Sequence, residues 1–472
     1  MKTTKLNFPV MSSWMENNGR RLDCNPYLSG AFEAKVILEK LPGKKQPLHE
    51  VTKGGMEGIF NGPRFSRNYV EDPEYGVPFL GSIDILAADL SNLTLLSKKQ
   101  VASHPELLID EGWTLITCSG TIGRMVYSRS EMMGMAGSQH FMRVIANPDK
   151  ILPGYLYAYL SSSFGVPIVI SGTYGSIIQS IEPQHIADLP VPRLGKYIED
   201  KAHKNIEESA RLRSEYQIQI KKATHRLFSA VGLKDITAVD WHKMGTDLGF
   251  SHNLESHVSL RAANFNPRFK KLCENIKSTK YKELGEICVP GTLQRGGRYK
   301  RIDADPEFGC QLIGQRQLFW LRPEGRWVVK SALGDDVFVQ PGTILIAATG
   351  TLGESELYCR SEIIWGSAVS MAYSELFVRV VADEAIMPRG CLFAFMRSET
   401  AFRMLRSIAF GSKLQYLHPD FIPNLPIPYP AQEIQQKIHE LVVDAYEKRH
   451  LSNILEDEAV AIVEQAISLG GA

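Results

Sequence analysis

The sequence lacks the features by which membrane, secreted and metal-binding proteins are usually recognised. Its 472 residues contain no uninterrupted apolar run of the roughly 18 residues that a membrane helix needs. The start, Met1-Lys2-Thr3-Thr4-Lys5, has no apolar segment typical of a secretory signal. Seven cysteines, none in a Cys-x-x-Cys spacing, give no metal or disulfide signature and suit a reducing compartment. These absences predict a cytoplasmic protein with no membrane partner, no metal and no cofactor.

An excess of positive charge is also missing. The 53 Lys and Arg residues against 52 Asp and Glu residues give a formal net charge of +1. A domain that binds DNA unaided is expected to be strongly basic. The composition is otherwise ordinary for a globular protein, and the length predicts about three units of roughly 150 residues. If the partner is a nucleic acid, positive charge has to be confined to a groove, or other subunits have to supply much of the grip on phosphate.

The motifs of common catalytic sites are absent as well. The sequence has no His-Glu-x-x-His, no Walker lysine loop and no Gly-x-Ser-x-Gly elbow. An adenine methyltransferase would show Asn/Asp-Pro-Pro before an aromatic residue, whereas Asn25-Pro26-Tyr27 has a single proline. The Gly-Thr-[Ile/Leu]-Gly turns at Gly120 and Gly350 are better interpreted as tight structural turns than as phosphate loops, because no helix with Lys-Ser/Thr follows them. We therefore predict that the isolated chain is not an enzyme.

What the sequence does contain is a long internal repeat. The segment 174–179 (Tyr-Gly-Ser-Ile-Ile-Gln) recurs at 410–415 as Phe-Gly-Ser-Lys-Leu-Gln, a displacement of 236 positions. The same displacement separates the Leu-Pro-[Val/Ile]-Pro segments that begin at Leu189 and Leu425. A repeat of this length matches a duplicated domain and is too long for a solenoid unit. Short apolar segments bounded by Gly, Pro or Asp predict strands in the middle of each half; they are 114–118, 141–145, 344–348 and 377–381.

Each half ends in a segment that predicts a long polar helix. Residues 196–232 contain no proline, and their only glycine is the C-terminal Gly232. Between Ile434 and Leu469, small and apolar residues alternate spacings of four and three, with two polar interruptions. This is a heptad seam, and it predicts that the two helices pair with each other as an antiparallel coiled coil. A helix of 37 residues would extend about 55 Å, which is more than one turn of duplex DNA.

The predicted fold class is therefore α+β. Two similar globular mixed α/β domains are each followed by a long helix, and the paired helices relate them by an approximate two-fold axis. In chain order we expect a first domain, a central helix, a connector, a second domain and a C-terminal helix; their bounds are 1–195, 196–232, 233–262, 263–430 and 431–469.

Two similar domains offer two similar surfaces, so the partner should be long or itself roughly two-fold, and double-stranded DNA is the first candidate. Cations beside an aromatic residue recur at the same point of both halves, where they can grip phosphate or read guanine. These predicted contacts are Arg64, Arg67, Arg298, Lys300 and Arg301. In the Gly-Ser-x-x-Gln loops, glutamine can bind adenine and serine can hold a phosphate. The predicted contacts there are Tyr174, Ser176, Gln179, Ser412, Lys413, Gln415 and Tyr416. The structural alternatives are solvated arginines and a turn whose side chains cap their own backbone.

In the order of these features, repeated twice, the chain resembles the DNA-specificity (S) subunit of type I restriction–modification systems over nearly its whole length. The duplicated domain, the Gly-Thr-Ile-Gly and Gly-Ser-x-x-Gln segments, the Leu-Pro-[Val/Ile]-Pro segments and the long helices carry the resemblance. In such subunits each globular half is a target-recognition domain that reads one half of a bipartite, asymmetric DNA sequence. The paired helices act as a spacer and dock methyltransferase subunits, and a motor-nuclease subunit can join.

The resemblance implies that the domain before Lys196 reads one half-site and that the domain from about Ala263 to Pro430 reads a different one. It also implies two methyltransferase subunits docked on the long helices. Related defence systems use such a subunit without a type I nuclease, and the sequence does not separate these cases. Two other classes stay open. One is a scaffold that binds two copies of a protein, which the neutral charge favours; the other is a duplicated enzyme with Asp72 and Asp305 as acids, although Asp-Pro more often begins a turn.

Overall fold

The chain divides into two compact units. The computed structural model describes residues 9–17, 27, 30–171, 180–253 and 259–470. The first unit comprises Met1–Leu86, Leu93–Ser214 and Leu451–Ala472, and the second comprises Ala87–Asn92 and Glu215–His450. The predicted division treated the two long helices as separate segments. In the structure each unit includes part of both helices, because their apolar sides belong to its core.

The first unit is built on an antiparallel sheet of four strands in the order β2-β9-β6-β7. A second sheet has the order β3-β5-β4-β8, with β4 and β8 parallel, and β1 pairs with β10. The strands are β1 (Lys45–Pro47), β2 (Ile59–Asn61), β3 (Tyr69–Val70), β4 (Gly76–Leu80), β5 (Leu95–Ser97), β6 (Thr114–Thr117), β7 (Met125–Tyr127), β8 (Ala136–Gly137), β9 (Phe141–Val144) and β10 (Pro190–Pro192). All residues of β6 and β9 are buried, which explains why these strands appear in the sequence as short apolar segments without alternation.

Short helices and turns surround the sheets of the first unit. The α-helices are α1 (Ser12–Asn17), α2 (Ala31–Lys40), α3 (Leu48–Val51), α4 (Lys98–Ser103), α5 (Pro153–Leu160), α6 (Gly165–Ser171), α7 (Pro183–Ile186) and the part up to Ser214 of α8 (Lys196–Ala230). The 3₁₀ turns are Gly55–Gly58, Asp84–Leu86, Pro105–Leu107 and Ser130–Met132. Helix α5 has proline at its first position, where the missing N–H has no intrahelical partner to lose, and its remaining residues are all buried.

The main sheet of the second unit has the order β12-β19-β15-β17, which is the order of the first unit at corresponding positions. The other sheets are β14-β13-β18, with β13 and β18 parallel, β16-β21-β20, and the pair β11-β22. The strands are β11 (Tyr281–Glu283), β12 (Gln294–Arg295), β13 (Gly309–Ile313), β14 (Arg326–Val329), β15 (Ile344–Ala347), β16 (Thr349–Gly350), β17 (Ser361–Ile363), β18 (Ala372–Tyr373), β19 (Phe377–Val380), β20 (Ala409–Gly411), β21 (Gln415–Leu417) and β22 (Pro426–Pro428). Loops at corresponding strand ends can therefore be compared position by position.

The helices of the second unit include about half of the C-terminal helix. They are the remainder of α8, α9 (Ala238–Lys243), α10 (Pro267–Lys277), α11 (Leu284–Ile287), α12 (Gln315–Leu318), α13 (Arg389–Met396), α14 (Glu399–Ser407) and the part up to His450 of α15 (Gln432–Ser468). The 3₁₀ turns are Ala262–Phe265, Lys330–Ala332, Asp335–Val337, Gly366–Ser370 and Ile422–Asn424. Among the described residues, no helix is both long enough and apolar enough to span a bilayer.

Within the first unit, α8 and α15 pack against each other and run antiparallel. Asn205 Nδ2 donates to Glu458 Oε2 at 3.4 Å, and the Ser209 hydroxyl donates to the Ser452 carbonyl at 2.8 Å. Arg213 interrupts the apolar stripe of α8 in the sequence; in the structure it is buried, and its Nη2 lies 2.5 Å from Glu456 Oε2. The polar interruption is therefore an internal ion pair.

In the second unit, the other parts of α8 and α15 also pack against each other as an antiparallel pair. The hydroxyls of Tyr216 and Tyr446 lie 3.4 Å apart, and Gln219 donates to Asp444. Apolar side chains of both helices, Ile220 and Val442 among them, are buried in the core of this unit. Burying one such side chain contributes about 1.5–3 kcal/mol. These contacts fix the register of the helix parts within the unit.

Candidate nucleic-acid interface

The topology of the first unit brings three loops together at one end of its main sheet. Since β9 runs antiparallel to β2 and β6, its first residues lie beside the last residues of those strands, and Thr117 pairs with Phe141. The loop after β2, the turn after β6 and the turn before β9 therefore converge. We call the polar residues that they bring together the first surface; they are Arg64, Arg67, Ser119, Gln139 and His140.

A chain of hydrogen bonds of fixed direction joins these residues. Arg67 Nη2 donates to Gln139 Oε1, because a guanidinium can only donate. The Gln139 amide nitrogen therefore faces His140 Nε2, at 3.2 Å, and this ring nitrogen has to accept. The proton of the imidazole is left on Nδ1, which lies 2.7 Å from the Ser119 hydroxyl oxygen and donates to it. This network requires a neutral His140.

The electrostatics of the first surface favour that neutral form. Partial burial lowers the pKa of His140 below its usual 6.5, and the positive charges of Arg67 and Arg64 lower it further. The guanidinium of Arg67 also lies over the Phe79 ring, 4.9 Å from its centroid. Arg67 is therefore held between a ring and an amide.

A buried arginine holds the turn that presents Gln139. The side chain of Arg143 is fully buried, and burial lowers its pKa to about 10. Its Nη1 donates to the carbonyls of Ser138 at 2.8 Å and Phe141 at 3.0 Å, and its Nη2 donates to Gly137 at 2.8 Å. Because Arg143 binds these three carbonyls, it holds the backbone on both sides of Gln139 in place.

Of the remaining predicted contacts of the first half, Arg64 is the one that lies among the described residues. The Arg64 side chain is 80% exposed and forms an ion pair with Glu182, with 3.7 Å between Nη2 and Oε1, and Glu182 Oε2 accepts a hydrogen bond from Asn61 Nδ2 at 3.2 Å. The predicted contacts Tyr174, Ser176 and Gln179 lie outside the described residues. Ser180, which follows them, forms a bridge with Ser119.

In the second unit the corresponding loops form a second surface, which consists of Arg298, Lys300, Arg301 and Glu375. Arg301 Nη2 donates to both carboxylate oxygens of Glu375, at 3.0 and 3.1 Å. Arg298 is 88% exposed, with its Nε 3.9 Å from the same carboxylate, and Lys300 is exposed. The loop that carries these cations is held elsewhere, since Tyr299 donates its hydroxyl to Asp336 at 2.5 Å and Gly297 donates its N–H to the same carboxylate.

The hairpin formed by β20 and β21 lies at the same end of the second unit, because β21 also pairs with β16 directly after β15. Ser412 and Lys413 are exposed at its tip. Gln415 is buried, and its amide accepts from Arg261 and donates to the Ser412 carbonyl. Tyr416 packs under the guanidinium of Arg295, 4.9 Å from the ring centroid. In this arrangement Gln415 supports the tip, and its contact with adenine stays a prediction.

Sequence reasoning missed the residues that meet the basic loops. Gln139 and Glu375 each stand two positions before the phenylalanine that begins β9 or β19, and they are displaced by 236, from 139 to 375. The signal was present, because Ser-Gln-His-Phe-Met-Arg-Val at 138–144 recurs as Ser-Glu-Leu-Phe-Val-Arg-Val at 374–380. Among the residues that the structure describes, no group of His, Cys, Asp and Glu could hold a metal ion.

Three of the solved structures that match this chain each cover 90% of it. The S subunit of a type I restriction–modification system from M. genitalium has 12% sequence identity, covers 90% of this chain and 95% of its own, and gives a TM-score of 0.36. The HsdS subunit from Thermoanaerobacter tengcongensis has 13% identity over 90% and 97% of the two chains, with a TM-score of 0.26. A chain from a structure of the assembly and conformational transition of the type I R-M system has 12% identity over 90% and 98%, also with a TM-score of 0.26.

The sequence itself gives no comparable match. No protein-family model matches the chain, and no curated protein matches it.

Proposed function

We propose that this protein is the non-catalytic DNA-recognition subunit of a methyltransferase complex, and that it reads a bipartite, asymmetric target. The first unit reads one half-site through the first surface, and the second unit reads the other through the second surface. Adenine methyltransferase subunits, two in number, dock on the long helices, and a motor-nuclease subunit can join them. In this assignment the chain supplies sequence specificity and its partners supply chemistry.

One observation carries the proposal. In each unit the last arginine of the basic loop donates a hydrogen bond to a side chain that lies two positions before the start of a central strand of the main sheet. Arg67 donates to Gln139 before β9, and Arg301 donates to Glu375 before β19. Fixed donors and acceptors at an exposed sheet end are what direct readout of base edges requires. The neighbouring exposed cations, Arg64 and Arg298, are suited to phosphate.

The long helices complete the proposal as a spacer. We propose that α8 and α15 form one antiparallel coiled coil with an approximate two-fold axis, and that its length sets the distance between half-sites. The antiparallel contacts within each unit support this arrangement. Removing one heptad from each helix should then change the spacer of the DNA target and leave both half-sites unaltered. An unchanged spacer would contradict the role of the helices as a ruler.

The decisive experiment is methylome sequencing of cells that contain the neighbouring methyltransferase, with and without this chain. The expected result is a methylated motif of two short blocks around a fixed spacer that appears only when the chain is present. Methylation that does not depend on the chain would overturn the proposal and move the weight to a protein-binding scaffold. A double variant, Arg67→Ala with Arg301→Ala, tests the two surfaces in the same experiment. It should lose the motif while remaining folded.

A further inference from the structure

Glu375 is an unusual side chain to find in front of a basic DNA-binding loop. Its carboxylate is 22% exposed and faces the two arginines of the second surface, Arg298 and Arg301. A carboxylate repels phosphate, so it weakens sequence-independent binding. The same loop has a second anchor, because Asp336 binds the Tyr299 hydroxyl and the Gly297 N–H. What the Glu375 carboxylate adds to the second surface is a set of hydrogen-bond acceptors.

The chemistry of the pair formed by Arg301 and Glu375 is specific. An ionised carboxylate only accepts hydrogen bonds, and in the major groove the cytosine N4 amino group is the donor with which Glu pairs. A guanidinium only donates, and guanine presents the acceptors O6 and N7. The side chains lie 3.0–3.1 Å apart, so they present a donor next to an acceptor, as the edge of a single C·G pair requires.

The first surface offers a different pattern at the equivalent position. Gln139 carries both a donor and an acceptor and no charge, and its amide orientation is fixed by Arg67 and His140. Glutamine pairs with adenine N6 and N7. At this corresponding position the two units therefore present different hydrogen-bonding groups, an amide in the first and a carboxylate in the second.

Resting on the proposed function, we propose that Glu375 is a specificity-determining residue: it accepts from the cytosine N4 amino group of one base pair in the second half-site, and Arg301 donates to the guanine of that pair. Replacement of the carboxylate by an amide removes the charge with almost no change of shape. Glu375→Gln should reduce discrimination for cytosine at that one position by about 5- to 150-fold, which corresponds to one good base contact.

The experiment uses the complex of the full chain with its methyltransferase partner. Duplexes with each of the four bases at each position of the second block are compared for wild type, Glu375→Gln and Glu384→Gln. Glu384 pairs with Arg389 in the same unit, so its variant is a matched carboxylate-to-amide control. The expected result is relaxed specificity at one C·G position for Glu375→Gln, with the first block and the spacer unchanged.

Two outcomes would overturn the inference. A uniform change in affinity for all bases would assign Glu375 to orienting the arginines, and unchanged binding would remove it from the interface. If Glu375→Gln melts at a lower temperature than wild type, Arg301→Lys, which keeps the positive charge and loses the bidentate guanidinium, replaces it in the same comparison and should relax the preference for guanine at the same base pair. Failure of the proposed function is distinguishable, because the wild-type complex would then give no split motif at all.

Discussion

Gln139 in the first unit and Glu375 in the second precede corresponding strands of the two main sheets, β9 and β19, but one is neutral and the other is charged. Each accepts a hydrogen bond from the last arginine of the basic loop. In the first unit the cations Arg64 and Arg67 face an amide and a neutral histidine; in the second, Arg298 and Arg301 share one carboxylate. The fold thus keeps the position of the contact and changes its hydrogen-bonding character.

This difference also bears on the modest net charge. A surface in which Glu375 faces two arginines carries less positive charge than its loop sequence implies. If the second surface contacts DNA, as proposed, it would bind DNA of any sequence more weakly and gain more from a matching base. The near balance of charges in the whole chain counted against DNA binding in the sequence. Such a balance would be expected if this chain reads bases while other subunits of the complex bind the phosphates.

The largest expected effect concerns the buried charges of the long helices. Arg213→Ala should lower the free energy of unfolding of the first unit by about 3–5 kcal/mol, because it removes the cation that balances the charge of the buried Glu456 carboxylate, while the Tyr157 hydroxyl still donates to that carboxylate. Arg211→Ala, two residues away on the same helix and paired with Glu208 at the surface, is the control and should cost less than about 1 kcal/mol. Urea unfolding followed by circular dichroism measures both. A similar small loss for both variants would show that Arg213 is not coupled to the fold.

Replacing Arg143, which is buried, and Arg379, which is half-buried at the corresponding position of the second unit, should change stability by different amounts. Arg143 donates to three carbonyls, so Arg143→Met should destabilise the first unit by about 2–4 kcal/mol, since those buried acceptors lose their donors. In the described part of the chain, Arg379 Nε and Nη1 are buried without a hydrogen-bond partner. Arg379→Met should therefore cost less than about 1 kcal/mol or stabilise the second unit. Thermal unfolding compares the two variants, and equal losses would contradict the contrast.

The sequence predicted the framework of the fold better than the candidate site. Short apolar segments correctly located β6, β9, β15 and β19, because strands that are buried on both faces are built mainly from apolar residues. The predicted central helix begins at Lys196, as in the structure, and ends two residues earlier than predicted, at Ala230. Gly232, two residues after the last helical residue, has a φ of 72°, and this left-handed backbone, which glycine adopts readily, stops the helix.

The contacts of the candidate site were not predictable from local pattern. Arg67 and Gln139 are 72 positions apart, and Arg301 and Glu375 are 74 apart, so only the pairing of strands brings them together. The burial of Arg213 could not be predicted either, because a cation in a heptad seam usually marks an exposed turn of helix. Its partner Glu456 lies on the other long helix, 243 positions away.

A smaller effect distinguishes phosphate contact from base recognition at the two surfaces. If Arg64 and Arg298 contact phosphate, replacing either by alanine should weaken binding to all sequences and lower the slope of log affinity against log salt by about one. If either reads guanine, its loss should cost about 1–3 kcal/mol at one base position, in the half-site of its own unit. Arg326→Ala, which removes an exposed cation paired with Asp303, controls for net charge. Fluorescence anisotropy with the assembled complex measures these changes, and no change for either variant would return its loop to the solvated-surface interpretation.

The smallest effect is a pH dependence that only the first surface should have. Because the folded protein lowers the pKa of His140 below 6.5, the unfolded chain binds this proton more readily, so the contribution to stability is complete above pH 6.5 and is lost as the pH falls below it. Protonation of Nε2 would also remove the acceptor that orients Gln139. His140→Leu places at this position the side chain that the second unit has at Leu376, and it should abolish this part of the pH dependence. NMR titration of the imidazole gives the pKa directly; a value at or above 6.5 would contradict the neutral network, and with it the fixed orientation of Gln139 on which the contrast with Glu375 depends.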